Sequence, residues 1–327
     1  MTLPNEMPTT LPKEMPMTIP IPIPMTGPGY GHPLQFGVSL TPRHDAADAI
    51  VALAQRCEQL GYHLVTFQDH PYQPRFLDTW TLLTWVASRT DRIRVAGNVL
   101  NVPMRPPAVL ARASVSLDQL SGGRFDLALG AGGFWDAIEA MGGRRLTPGQ
   151  AVQALEEAID IIHGIWDVED REPLRVPGEF HQVNGAKRGP APAHRIPIWI
   201  GAYRPRMQRL IGRKADGWLP SFGRLERGAR SAGNRTIDEA AVAAGRDPRD
   251  IRRILNVSGE FAAVTTDSTD TSSTLHGPSA HWVQVLGHLA LQDGIDTFVL
   301  FSDDPPTLEQ FAEEVIPALL EAVVQQR

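Results

Sequence analysis

RIRVAGNVLNVPMRPPAVLARASVSLDQLSGGRFDLALGAGGFW, residues 92–135, decides the fold. Ile93, Val95 and Val99 form an apolar, β-branched run suited to a strand. Pro106 and Pro107 suit the first turn of a helix, where a missing N–H costs nothing. Ala108, Leu110, Ala111, Val115, Leu117 and Leu120 then recur at helical spacing, and Ser121-Gly122-Gly123 ends the helix. Phe125 to Leu129 is a second apolar run, closed by Gly130-Ala131-Gly132-Gly133. The unit predicts two parallel strands joined through a helix, in a sheet covered on both faces. Ligands of such sheets bind at the carboxyl ends of the strands. Here those ends are Gly97-Asn98-Val99 and Gly130 to Gly133, and both lack side-chain bulk where a flat ligand could lie against main chain.

The glycine run is not a Rossmann fingerprint. G-x-G-x-x-G requires a third glycine where this chain has Trp135.

Working outward, Met1 to Pro33 repeats proline through MPTTLPKEMPMTIPIPIPM without helical periodicity, so a disordered tail is expected over residues 1–33 and one folded domain over 34–327. Proline interrupts every candidate signal peptide in the tail, and no apolar run is long enough to span a membrane, so a cytoplasmic location is expected. Strand and helix signals then alternate. Leu34–Leu40, His63–Gln68, the run to Val99, Phe125–Leu129, Ile196–Ile200, Gly217–Leu219, Ile251–Val264 and Ile295–Phe301 read as strands. Ala46–Leu60, Phe76–Thr90, Pro106–Leu120, Pro148–Trp166, Arg204–Ala215, Ile237–Ala244, Trp282–Leu291 and Leu308–Val324 read as helices. Eight alternations predict an α/β fold of the (β/α)8 TIM-barrel type, with an open doubly wound sheet as the alternative. Asp167–Arg195 interrupts the pattern between the fourth helix and the fifth strand as an insertion with a hairpin signal at Pro177-Gly178-Glu179, a surface excursion or a lid. Thr265–Pro278 reads as a Ser/Thr-rich loop.

The chain has 327 residues and a net charge of -6, which argues against a nucleic-acid partner. Its single cysteine, Cys57, lies in line with Ile50, Leu53, Ala54 and Leu60 and reads as a small buried hydrophobe. The ten histidines form no H-x-H or H-E-x-x-H pattern, so no metal site is expected, although a metal-dependent hydrolase remains a rival reading for a barrel. At the strand ends the candidates are Asp69 and His70, Asn98 and Asn101, Gly130 to Gly133, and Gly201 to Arg206. His70 is the one group there that titrates near neutrality. Gly201-Ala202-Tyr203-Arg204 runs into a helix N-terminus, where free N–H groups attract phosphate and Arg204 and Arg206 add charge. Trp135, Phe134, Trp80 and Phe222 would line the mouth and suggest an apolar or aromatic small-molecule substrate.

Five pieces in order resemble the bacterial-luciferase-like family of flavin- and deazaflavin-dependent oxidoreductases and monooxygenases. They are Phe67-Gln68-Asp69-His70, Gly97-Asn98-Val99, Leu117 to Arg124 (LDQLSGGR), Gly130-Ala131-Gly132, and Pro197 to Ala202 (PIWIGA) leading to Ala215 to Ser221 (ADGWLPS). The resemblance covers about Leu34 to Val324. It implies a barrel whose mouth holds FMN or the 8-hydroxy-5-deazaflavin coenzyme, F-420. The ring would lean on a bulge at Asn98-Val99 that contains a non-proline cis peptide in deazaflavin members. The cofactor-binding set it implies is Asn98, Val99, Asn101, Gly130, Ala131, Gly132, Gly201, Ala202, Tyr203 and Arg204, with His70 and Asp69 catalytic. The glutamate of the family's sugar-phosphate dehydrogenases is Gly133 here, which points away from that substrate class. A homodimer is common in the family, and a flavin-binding barrel without catalysis is the alternative.

Overall fold

The computed structural model describes residues 29–225, 228–265 and 274–325. In chain order the strands are β1 (Gln35–Leu40), β2 (Leu64–Phe67), β3 (Arg94–Gly97), β4 (Leu100–Asn101), β5 (Phe125–Gly130), β6 (Leu174–Pro177), β7 (Gln182–Ala186), β8 (Ile198–Ile200), β9 (Gly217–Trp218), β10 (Arg252–Val257), β11 (Gly259–Phe261), β12 (Leu275–Gly277) and β13 (Thr297–Phe301). The main helices are α1 (Ala47–Gln59), α2 (Thr79–Ala87), α3 (Pro107–Leu120), α4 (Trp135–Ala140), α5 (Pro148–Trp166), α6 (Pro205–Lys214), α7 (Ala229–Ala243), α8 (Ser279–Gln292), α9 (Pro305–Gln310) and α10 (Ile316–Val324).

Eight parallel strands run β1-β2-β3-β5-β8-β9-β10-β13, and β13 returns to β1, pairing Gln35 with Thr297. The β3–β5 pairing, Val95 beside Phe125, completes the ring. This closure is the TIM barrel, and it disposes of the open sheet. Alternation along the strands makes two separate cores. Leu64, Ala96, Ala128, Trp199, Leu219, Ile254 and Val299 fill the lumen. Phe36, Val38, Val65, Phe67, Val95, Leu127, Ile198, Leu255, Phe298 and Leu300 face outward and are buried with α1, α5, α6 and α8. Cys57, fully buried on α1, has its thiol pushed up to about 12 by that burial.

Several boundaries move. The third strand is broken at Asn98-Val99, whose peptide is cis, into β3 and β4. Asp78 caps α2, accepting from the Thr81 amide at 2.8 Å, so that helix begins at Thr79 rather than Phe76. The single strand expected over Ile251–Val264 is two, β10 and β11, and the loop expected over Thr265–Pro278 contains β12, which pairs in parallel with β11; residues 266–273 lie outside the described residues. The closing helix carries a π-helical turn, Phe311–Val315, between α9 and α10.

The expected tail also needs revision at its end. Residues 1–28 lie outside the described residues, but Tyr30 is buried, its ring 4.1 Å from the guanidinium of the fully buried Arg253 and its hydroxyl 2.9 Å from Asp238. Packing thus begins before Leu34, at the amino end of β10.

The insertion forms the expected hairpin, β6 against β7. Its turn is tied down by one side chain. Glu157 on α5 accepts from the backbone amides of Glu179, Phe180 and His181 at 3.0, 2.8 and 2.9 Å. Those hydrogen bonds hold the Glu157 carboxyl below its usual range against the opposing effect of desolvation. Glu157→Ala should therefore raise hydrogen exchange at the amides of residues 179–181 while leaving the barrel strands protected; unchanged protection at the turn would contradict this account.

Candidate active site

The carboxyl ends of the barrel strands surround a cavity of about 520 Å³. Its wall includes Asp69 and His70 from the end of β2, Asn98, Val99 and Asn101 from the break in the third strand, Gly130 to Gly133 after β5, and Gly201 and Tyr203 after β8. Ten of the twelve residues expected at the site are therefore brought together. Two are not. Ala202 is buried beneath the wall with its carbonyl accepting from Trp218 Nε1 at 2.9 Å, and Arg204 is exposed at the N-cap of α6.

Asp69 is buried, and both carboxylate oxygens are occupied. Arg105 Nε and Nη2 donate to Oδ2 and Oδ1 at 2.9 and 2.8 Å, and the Asn101 amide donates to Oδ2 at 2.8 Å. This makes Asp69 a brace between the end of β2 and the segment after β4, each of its oxygens already accepting from that segment.

His70 keeps a different environment. Its Nδ1 lies 2.7 Å from the Tyr72 hydroxyl, and the rings of Phe134 and Phe76 stand 5.2 and 6.3 Å away. Desolvation lowers the imidazole pKa, against the pull of the Asp69 charge. The neutral form of the ring is thus favoured relative to a free imidazole.

The glycines do something other than expected. A Cβ on Gly130 would fall 2.6 Å from Val99 Cγ2, and one on Gly201 would fall 3.4 Å from the same atom. Gly130 makes room for Val99, Gly201 stands in ordinary contact with it, and Val99 in turn forms part of the cavity wall. Gly132, at φ +92°, takes a backbone conformation that favours glycine, with Pro103 and Trp135 packed against it.

On the lumen side the floor is polar. Asn98 Nδ2 donates to Asn256 Oδ1 at 2.8 Å and to Thr66 Oγ1 at 3.3 Å, and Asn256 Nδ2 reaches back to Asn98 Oδ1 at 3.2 Å. Tyr203 donates to Ser221 Oγ at 3.2 Å. Asn101 Oδ1 is buried in the wall and receives no hydrogen bond among the described residues. An acceptor held so calls for a donor on a ligand.

Sequence reasoning missed Tyr72, Leu219, Ser221, Arg224, Asn256 and Phe301, all of which line the cavity. Asn256 and Phe301 were findable, because they sit at the carboxyl ends of strands already recognised. Of the four aromatic residues expected in the lining, only Phe134 is there. Trp80 packs edge-on against Phe125, Trp135 against Gly132, and Phe222 lies under Arg230. No described residue of the insertion lines this cavity; Phe180 to Val183 border a neighbouring groove with Val102 to Ala108. Among the described residues no three His, Cys, Asp or Glu side chains gather as a metal would require, and no helix is long and apolar enough to cross a membrane.

The site is a closed parallel barrel with a cavity at the carboxyl ends of its strands, lined by a glycine-seated bulge and by His70. Residues 29–287 match the model of the luciferase-like monooxygenase family, and the chain belongs to that family. An uncharacterized protein of Mycobacterium tuberculosis is 30% identical over 194 residues, 53% of this chain and 65% of that protein. An F-420-dependent glucose-6-phosphate dehydrogenase of Kineococcus radiotolerans is 29% identical over 206 residues, 60% of this chain and 58% of that enzyme. The chain thus spans somewhat less than two thirds of these relatives. A counterpart from Mycolicibacterium gilvum is matched more fully, 28% identical over 86% of this chain and 81% of that enzyme. Among solved structures, an F-420-dependent secondary alcohol dehydrogenase superposes with a TM-score of 0.76 at 17% identity, covering 88% of this chain and 99% of that one. A coenzyme F-420-dependent tetrahydromethanopterin reductase from Methanopyrus kandleri gives 0.71 at 18% identity over 88% and 99%. The fold is shared.

Two outcomes follow. Asp69→Ala should cost about 3 kcal/mol or more in urea unfolding, because it strands the Arg105 charge and the Asn101 amide together. The His70 imidazole should titrate by NMR with a midpoint below 6.5, and a midpoint above that value would mean the ring is not desolvated.

Proposed function

We propose that this chain is an oxidoreductase that uses the deazaflavin coenzyme F-420 to move a hydride to or from a small substrate at an oxygen-bearing carbon. The observation that carries the reading is Asn101 Oδ1, a buried acceptor without a partner in the wall that Val99, Gly130 and Gly201 form. Flavins and deazaflavins share a ring N–H that could satisfy it, and the nearby Asp69 charge is already paired with Arg105. The residues present therefore fit such a group. The curated F-420-dependent relatives and the F-420 enzymes of the same fold favour the deazaflavin over FMN.

When bound, the coenzyme supplies or accepts the hydride. The protein does the rest. Val99 and its glycine seat back one face of the ring, Asn101 orients its edge, and Asp69 braces the loop that carries His70. His70 exchanges a proton with the substrate oxygen. Asn98, Asn256 and Ser221 offer amide and hydroxyl groups to a polar substrate, while Phe134 and Phe301 offer apolar surface. The lining is mixed, which fits a small alcohol or carbonyl compound better than a wholly aromatic one.

Titration of the purified protein with F-420 and with FMN, each oxidised and reduced, tests the reading by absorbance and fluorescence. F-420 is expected to bind, with affinity reduced about tenfold in Asn101→Leu through the lost hydrogen bond. Binding of FMN alone, with oxygen consumed, would move the chain to the monooxygenase side of its family; binding of neither would overturn the proposal.

A further inference from the structure

We propose that Tyr72 is a positioning residue for His70: its hydroxyl donates to Nδ1 and holds the imidazole as the Nε2–H tautomer, so the ring presents a transferable proton to an oxygen atom in the mouth. This rests on the reading above and deepens it.

The pair is close, with Nδ1 and Oη 2.7 Å apart. Either atom could donate, and chemistry chooses. A phenol is a stronger acid than a neutral imidazole N–H, and an imidazole nitrogen is a stronger base than a phenolic oxygen, so the favoured bond is O–H···Nδ1. The surroundings keep both partners neutral. Burial lowers the His70 pKa and pushes the Tyr72 hydroxyl up to about 12. Phe76 and Phe134, the other rings against His70, carry no titratable or hydrogen-bonding group. Asp69, the one charged neighbour on the same loop, has its carboxylate committed to Arg105 and the Asn101 amide. Once Nδ1 accepts, the ring proton must sit on Nε2, which has no hydrogen-bond partner among the described residues, and the ring lines the cavity.

The tautomer gives the proton a route. In the reducing direction a substrate carbonyl carbon gains a hydride from the reduced coenzyme, and the C=O electron pair passes to oxygen. That oxygen takes the Nε2 proton as Nδ1 takes the phenolic proton; water then returns a proton to Nε2 while Nδ1 hands its own back to the phenolate, which restores the Nε2–H tautomer. The sum is one hydride and one proton added, with neutral imidazole restored. Without Tyr72 the same step leaves an imidazolate, the conjugate base of a much weaker acid. Oxidation of an alcohol runs the sequence backwards.

The tautomer can be read without coenzyme or substrate. Long-range 1H–15N correlation spectra of the full-length protein labelled with 15N-histidine should show a protonated Nε2 and a bare Nδ1 for His70 at pH 7.5, with the resonances assigned by their loss in His70→Gln. In Tyr72→Phe both tautomers should populate while the remaining spectrum is retained. An Nδ1–H tautomer in the wild type, or an unaltered tautomer in Tyr72→Phe, would overturn the proposal. In turnover with F-420 and an accepted substrate, Tyr72→Phe should lower kcat about 10- to 100-fold with KM little changed and should displace the limb of the pH profile that reports His70. An equal fall at all pH values would reduce Tyr72 to packing. Because the spectra need no coenzyme, failure of F-420 to bind and failure of the tautomer leave different marks.

Discussion

The mouth of this barrel depends on a carboxylate that has been taken out of water. Isolated burial of Asp69 would be very costly, and the cost is offset only because three donors converge on its two oxygens, two from Arg105 and one from the Asn101 main chain. Such a pair adds little net stability over apolar packing. What it provides is position: the end of β2, the broken third strand and the turn at Arg105 share one anchor. His70 is the next residue after that anchor, and Asn101 is both a donor to it and the bearer of the orphaned acceptor in the wall. His70 and the Asn101 side chain are therefore set relative to each other by one ion pair.

Alternation on the strands does the complementary work. Below the mouth the lumen is filled by Trp199, Leu219, Ile254 and Val299, so the cavity has a floor and not a channel. Two residues on toward the carboxyl ends, Leu64, Ala96, Leu219 and Ile254 give way to Thr66, Asn98, Ser221 and Asn256, a hydrogen-bonded polar layer between the dry lumen and the mouth. The change from apolar to polar within two residues is what turns a structural barrel into one with chemistry at one end.

Much of this was written in residues 92–135. The strand, helix, strand reading and the glycines located the mouth, and the alternation of the rest made closure the economical outcome. What could not be read is what depends on partners far apart in the chain. Arg105 and Asp69 are 36 positions apart, and Asn98 and Asn256 are 158, with nothing local to announce either pair. The glycines could be placed at the strand ends, but not the contact of Gly130 with Val99, because that neighbour reaches it only after the chain has folded. Aromatic residues near the strand ends looked like a lining, yet Trp80, Trp135 and Phe222 turn toward protein. Tyr30, set in proline-rich sequence, found a buried guanidinium that no periodicity foretells. Low complexity hid the short strand at Leu275–Gly277 in the same way.

The seat of Val99 has a consequence for how such chains diverge. Positions 99 and 130 form one steric unit, because a Cβ on Gly130 would stand 2.6 Å from Val99 Cγ2. Drift at these sites is not independent. An alanine arriving first at 130 meets a wall, whereas one arriving after the valine has shrunk finds space, so only some historical orders of change stay open. Kin of this protein should inherit the two together, and a lineage that has lost the glycine should carry a smaller residue at 99.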